Sequence, residues 1–165
     1  MSNLRLINET TYSSVSTVNV TDVFSSDFDI YKITCNGDGQ YGLLKFINSA
    51  GSVMSDATYN TARLNLKLNT TESETKIVGT DVGIYAFTES SGSGTGGNVL
   101  YIFNPNSSNY TFVIAQTVDI NNTAAFRIAK TLGVHKNASS MSGFQLNALA
   151  SVSGTIRTYG LRVDS

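Results

Sequence analysis

Very little in this sequence can do covalent chemistry, carry charge or cross a membrane. Its 165 residues include one cysteine, one histidine, one proline and no tryptophan, and 14% of them are charged. The single cysteine, Cys35, excludes an internal disulfide. It lies in the strand-like run "DIYKITC", where a thiol reads as a small buried hydrophobe rather than a reactive group. One cysteine and one histidine cannot by themselves supply the roughly four ligands of a zinc site. The lone proline, Pro105, falls in "NPNSSN", a loop composition in which it removes no ladder hydrogen bond.

Charge is scarce as well. Against about 25% in an average soluble chain, this surface must be built largely from neutral polar groups, which cost less to desolvate than charges do. The formal net charge is −1 and the 11 Lys and Arg residues are scattered singly, whereas nucleic-acid binding by counterion release wants clustered cations. No nucleic-acid partner is expected. No apolar run approaches the roughly 20 residues of a spanning helix, so no membrane partner is expected either. The start, Met1-Ser2-Asn3-Leu4-Arg5, has no apolar signal core, and the expectation is a chain made in a cytoplasm.

What the sequence does have is β pattern. Short apolar or alternating runs recur at 4–7, 14–20, 30–35, 41–47, 62–68, 82–88, 98–103, 110–118, 125–131, 142–147 and 155–163, separated by Asn, Gly, Ser and Asp. "RLNLKL" alternates most cleanly and predicts Leu64, Leu66 and Leu68 facing in, with Asn65 and Lys67 facing out. "NVLYIF" is continuous, as in a strand buried on both sides or at an interface. "CNGDGQ" carries the Asn-Gly and Asp-Gly pairs of tight hairpins. "SDATYNTAR" fits a helix no better than a strand or loop. The expected fold is all-β: one antiparallel β-sandwich over residues 1–165, jelly-roll-like, with about ten short strands and residues 1–9 as an N-terminal arm. The ending "SGTIRTYGLRVDS" is rich in β-branched and aromatic residues, and a terminus of that kind is expected to be tied into the sheet.

Candidate chemistry is thin. "GSGTGG" at 92–97 matches the G-x-G-x-x-G phosphate fingerprint formally, but the fingerprint works only between a strand and a helix. Here a strand follows. A Ser–His–Asp site would need His135 as base and an acid such as Asp119 to orient it; no nucleophile-elbow motif surrounds any serine, and "GVHKNASS" reads as a loop. Asp27, Asp29 and Asp38 could ligate calcium, yet their stretches reproduce no known calcium loop, and turn or strand-start roles fit them better. No pair of carboxylates is singled out for glycosidase work. Neither catalytic residues, nor a cofactor, nor a resident metal is expected. The eight tyrosines suit a sandwich core or an interface, with Tyr31, Tyr85 and Tyr101 expected to fill the core.

Three stretches together resemble a known family. "YSSVSTVNVTDVFSSDFDIYKITC", "NPNSSNYTFVIAQ" and "GVHKNASSMSGFQLNALASVSGTIRTYGL" are similar to small β-sandwich structural proteins of tailed bacteriophages of marine and cyanobacterial hosts. Members often share an F-S/T-S-x-Y/F-D-x-Y-x-I segment and end on SGTIxVYGL. This chain departs from the pattern at Ile30 and Thr158. The resemblance implies a virion protein without catalytic residues, acting as head decoration (cement) or as part of a fibre, commonly as a homotrimer. Its partners would be the major capsid protein and other copies of itself, with a host surface glycan as the alternative. Strand-like sequence from Leu4 leaves no shaft segment, which favours decoration over a fibre. On that reading the interface is expected to use Tyr12, Phe24, Tyr101, Phe103, Tyr159 and Leu161, and the segments 1–9 and 90–97 are expected to order only on the particle.

Overall fold

The structure, a computed structural model, describes residues 3–38, 41–67, 72–87, 95–120 and 126–161. The chain is all-β and antiparallel, with nine strands among the described residues: β1 (Leu4–Val20), β2 (Ile30–Asp38), β3 (Tyr41–Asn48), β4 (Tyr59–Lys67), β5 (Ser73–Asp81), β6 (Thr95–Phe103), β7 (Thr111–Ile120), β8 (Phe126–His135) and β9 (Met141–Leu161). The "SDATYNTAR" stretch is strand from Tyr59 onward.

Hydrogen bonds run in the order β1-β9-β2-β6-β7-β8-β4-β5, with β3 added to β9. Two long strands fold this sheet into a sandwich. Residues 4–12 of β1 and 154–161 of β9 belong to the front layer, where β9 lies between β1 and β2. Residues 15–20 of β1 and 141–148 of β9 form the back layer with β3. The ladder slips between Tyr12 and Val15 and again between Val15 and Thr17. Ser14 sits there at φ 54°, and its N–H donates to Ser153 Oγ at 3.0 Å. This is a bulge of the kind that turns a strand from one sheet into the next. Opposite it, a Cβ on Gly154 would run into the Asn36 carbonyl oxygen and lie 2.8 Å from Tyr12 Oη, so only glycine lets β9 pass.

The C-terminal strand is therefore central, not peripheral. Ile156 and Thr158 are fully buried, and Gly160 lies against the ring of Phe28. Residues 4–9 are paired with β9 rather than forming an arm. The expected short strands at 4–7 and 14–20 are one strand, as are those at 142–147 and 155–161.

The core holds the two layers together. Phe24 packs edge-on to Tyr31 of β2 and tilts against Phe144 of β9, at centroid distances of 4.8 and 5.9 Å. Tyr31 is buried, its hydroxyl taking a hydrogen bond from the Ser25 N–H and donating to the Ser25 carbonyl. Cys35 is buried as expected, and burial pushes its thiol pKa up to about 12. At the other end Phe46 of β3 stacks on Tyr59 of β4 at 6.2 Å.

Further expectations fail, among them a core place for Tyr101, which is 39% exposed because its position in β6 points out of the sandwich. The apolar run at 82–87 is not a strand of the sheet; it bonds β3 through the Leu44–Ile84 bridge and turns tightly by an Ala86 N–H to Ile84 carbonyl bond. Strand β5, too polar to stand out, is an exposed edge whose Glu74–Lys76 pair suits the need to blunt an open edge. The alternation in β4 is inverted: Arg63 and Asn65 are 6% and 9% exposed, whereas Leu64 and Leu66 are 39% and 37% exposed. Leu68 lies outside the described residues.

Candidate interaction surface

The inversion in β4 has a physical cause. Residues facing each other in an antiparallel ladder share a face of the sheet. Inward rows therefore join Ile33, Leu100, Ala115, Thr131 and Arg63, and likewise Cys35, Asn98, Thr117, Ala129 and Asn65. At the β2–β6 end these inward groups are mostly apolar. At the β7–β8–β4 end they are mostly polar, because what covers them is the irregular segment 82–87. Backbone carbonyls in such a segment need donors as those of a strand do. Thr131 Oγ1 donates to the Tyr85 carbonyl at 3.0 Å, Thr117 Oγ1 to Ala86 at 3.5 Å, and Arg63 Nη1 to Phe87 at 3.0 Å. The Arg63 guanidinium also lies over the Tyr85 ring, 5.5 Å from its centroid. Asp119 and Arg127, opposite each other on β7 and β8, form a buried two-pronged ion pair at 2.9 and 3.3 Å.

With the polar groups turned in, period-two geometry turns the apolar ones out. One outward row crosses the whole front sheet through Leu4, Leu161, Ile30, Phe103, Phe112, Val134, Asn60 and Val78. The next carries Tyr159, Lys32, Tyr101, Ile114 and Leu132. Phe112, Ile120 and Leu132 are each about half exposed, at 48%, 49% and 52%. Toward the far end a hollow of about 610 Å³ is walled by Leu64, Leu66, Val99, Val118 and Ile128, with side-chain-free Gly97 on its lining. Charges at the margins are paired within the chain: Arg157 Nε to Glu9 at 2.6 Å on one side, Lys76 to Glu74 at 2.9 Å on the other.

Of the residues expected at an interface, Tyr101, Phe103, Tyr159 and Leu161 come together on this face, in neighbouring rows of β6 and β9. Tyr12 and Phe24 do not; both are in the core. The stronger part of the face, on β7, β8 and β4, escapes sequence reading, because the β4 alternation points the leucines inward and nothing local to β7 or β8 says which of their faces is wet. A signal was present: the intervening inward positions include Thr117, Asp119, Arg127, Thr131, Arg63 and Asn65, which no apolar core would take without partners.

His135 is also not where the sequence suggested. It ends β8, fully buried, stacked on Tyr59 at 4.3 Å and tilted against Phe46 at 5.6 Å. Burial depresses its pKa, against the pull of Asp56, whose Oδ1 is 3.6 Å away. Neither ring nitrogen has a hydrogen-bond partner among the described residues. Tyr59 is held between the Phe46 N–H, which donates to its hydroxyl, and the Met54 carbonyl, and burial raises its pKa. Asp119 cannot orient this imidazole. His135 lies opposite Thr111, and Asp119 is eight residues further along β7, roughly 27 Å at strand rise. Asp27 and Asp29 are exposed, and no group of three potential metal ligands occurs among the described residues. The Asp38 side chain and residues 90–94 lie outside them, while residues 95–97 are paired in β6. No described helix is long and apolar enough to cross a membrane. No family model matches the chain, and no curated protein matches it.

Proposed function

We propose that this chain is a non-enzymatic structural protein of a bacteriophage virion, a homotrimeric decoration (cement) protein that seats on the major capsid protein and stabilises the head lattice. The observation that carries the reading is the outward apolar face of the front sheet. A free-standing monomer rarely exposes a contiguous apolar patch above a few hundred Å², and assembly proteins expose such faces in order to bury them. The low charge content supports the same role, since weakly charged β surface is cheap to desolvate at subunit joints. The resemblance of the three sequence stretches to phage virion proteins supplies the particle.

A second reading has one observation in its favour. Tyr159, Lys32 and Tyr101 stand side by side on three adjacent strands of the outward face, and tyrosines flanking a cation can stack on and hydrogen-bond a sugar. A fibre-borne module that binds a host surface glycan would use such a row. The test is copy number in purified particles of the phage that encodes the chain, by quantitative mass spectrometry against the major capsid protein. Copy numbers comparable with the capsid protein support decoration. A small fraction of that number transfers the protein to the tail or a vertex and favours the glycan reading, and absence from particles overturns both.

A further inference from the structure

We infer that the outward face of β6, β7, β8, β4 and β5 is closed in solution by a second copy of this chain, making it the joint between copies. This rests on the reading above of the chain as a self-assembling building block, and names the surface that would do it.

Area is the first reason. Leu64, Leu66, Val78, Tyr101, Phe112, Val118, Ile120, Ile128 and Leu132 are each between 37% and 72% exposed. With on the order of 200 Å² for a large residue, these nine alone leave roughly 800 Å² in water, most of it apolar. That exceeds the largest patch on a typical monomer, about 300–600 Å², and matches the ~800 Å² that each partner contributes to a standard stable interface. Charge is the second reason. Glu9 with Arg157 and Glu74 with Lys76 are already paired at the margins, and the outward rows hold two further cations, Lys32 and Lys130, on separate strands, a sparse charge that a second copy covers at small cost when the lysine heads reach the rim. Shape is the third. The hollow walled by Leu64, Leu66, Val99, Val118 and Ile128 would stay wet under a flat cover, and side chains as large and apolar as Phe112 and Leu132 are available on another copy to fill it. Permanently apolar surfaces of this size belong to partners that are made together, and a second copy is the one partner always present where the chain is made.

The experiment is sedimentation equilibrium of the full chain across a concentration series, with far-UV circular dichroism as a control for folding. The wild type is expected to self-associate, and Leu132→Glu or Ile128→Lys is expected to weaken association at least roughly thirtyfold, the loss typical of an interface anchor, with an unchanged spectrum. Leu149→Glu, which changes an exposed leucine in the part of β9 away from this face, should leave association as in the wild type. If a charged variant fails to fold, the milder pair Phe112→Ser and Leu132→Ser is read in the same way. A monomeric wild type at tens of micromolar, or an oligomer indifferent to all these changes, overturns the proposal. A monomeric wild type would also remove the homotrimer from the reading above, whereas membership of the virion stands or falls on copy number in particles.

Discussion

Strand β4 offers the sharpest test of the inverted sheet, because the sequence pattern and the structure assign opposite costs to neighbouring residues. If Leu64 and Leu66 were core leucines, truncating each would cost about 2–5 kcal/mol. Both are more than a third exposed, and their outward neighbours are Lys130 and Ile128 on β8. Leu64→Thr and Leu66→Thr keep strand propensity and should together cost about 1 kcal/mol in the monomer, the scale of surface changes. Arg63 looks on paper like the expendable solvent-facing residue. It is buried, donates to the Phe87 carbonyl and covers the Tyr85 ring. Arg63→Ala leaves that buried carbonyl without this donor, about 1–3 kcal/mol, and removes a cation–π contact of about 0.5–1 kcal/mol or more. The expected loss is about 2–4 kcal/mol. Urea unfolding followed by far-UV circular dichroism, at concentrations low enough to keep the chain monomeric, reads both through the midpoint at constant slope. A leucine pair that costs more than Arg63→Ala under those conditions would refute the inverted assignment of β4.

Other expected outcomes follow from the interior. His135 is held with a depressed pKa, so the unfolded chain binds a proton more readily than the folded one; stability is full above the unfolded value near 6.5 and falls as pH drops from there toward the lower folded value. Melting temperature against pH should show that decline, and His135→Phe, which keeps the stack on Tyr59, should flatten it. For the ion pair, Asp119→Ala should cost about 3–5 kcal/mol by removing the charge paired with the buried Arg127, whereas Asp119→Leu with Arg127→Met should recover most of the loss, as a double-mutant cycle in urea would show. Cys35, with its thiol pushed up to about 12, should stay silent to a thiol-specific reagent in the native protein and react as one equivalent after denaturation. Gly154→Ala would force a methyl group into the Asn36 carbonyl where β2, β1 and β9 meet, and should destabilise by about 3 kcal/mol or prevent folding, read by expression and thermal melting.

How much of this was legible in the sequence depends on which physics each residue reports. Alternation, turn pairs and the scarcity of charge are local or compositional, so the all-β class, the burial of Cys35 and Tyr31, and the tethering of the C-terminal strand could be read directly. The β ending was correctly taken as tied down, but not as the strand that runs between β1 and β2. That position depends on the bulge at Ser14 and the glycine at 154, whose meaning exists only once two distant strands are paired. Strand β5 was invisible because an edge strand needs little apolar content to be held by its neighbour.

The candidate surface was half legible. Tyr101, Phe103, Tyr159 and Leu161 were singled out as aromatic and apolar residues of strands and do share the outward face. Phe112, Val118, Ile128, Leu132, Leu64 and Leu66 were hidden, since period two says which residues share a face but not which face is wet. By itself, then, the sequence determined the class of fold, the alternation of each strand and the poverty of chemistry. Tertiary structure alone decided the direction of that alternation. Segment 82–87 lies over the β7–β8–β4 end of the sheet, Thr117, Thr131 and Arg63 face inward to donate to its carbonyls, and the leucines, isoleucines and valines between are left facing out.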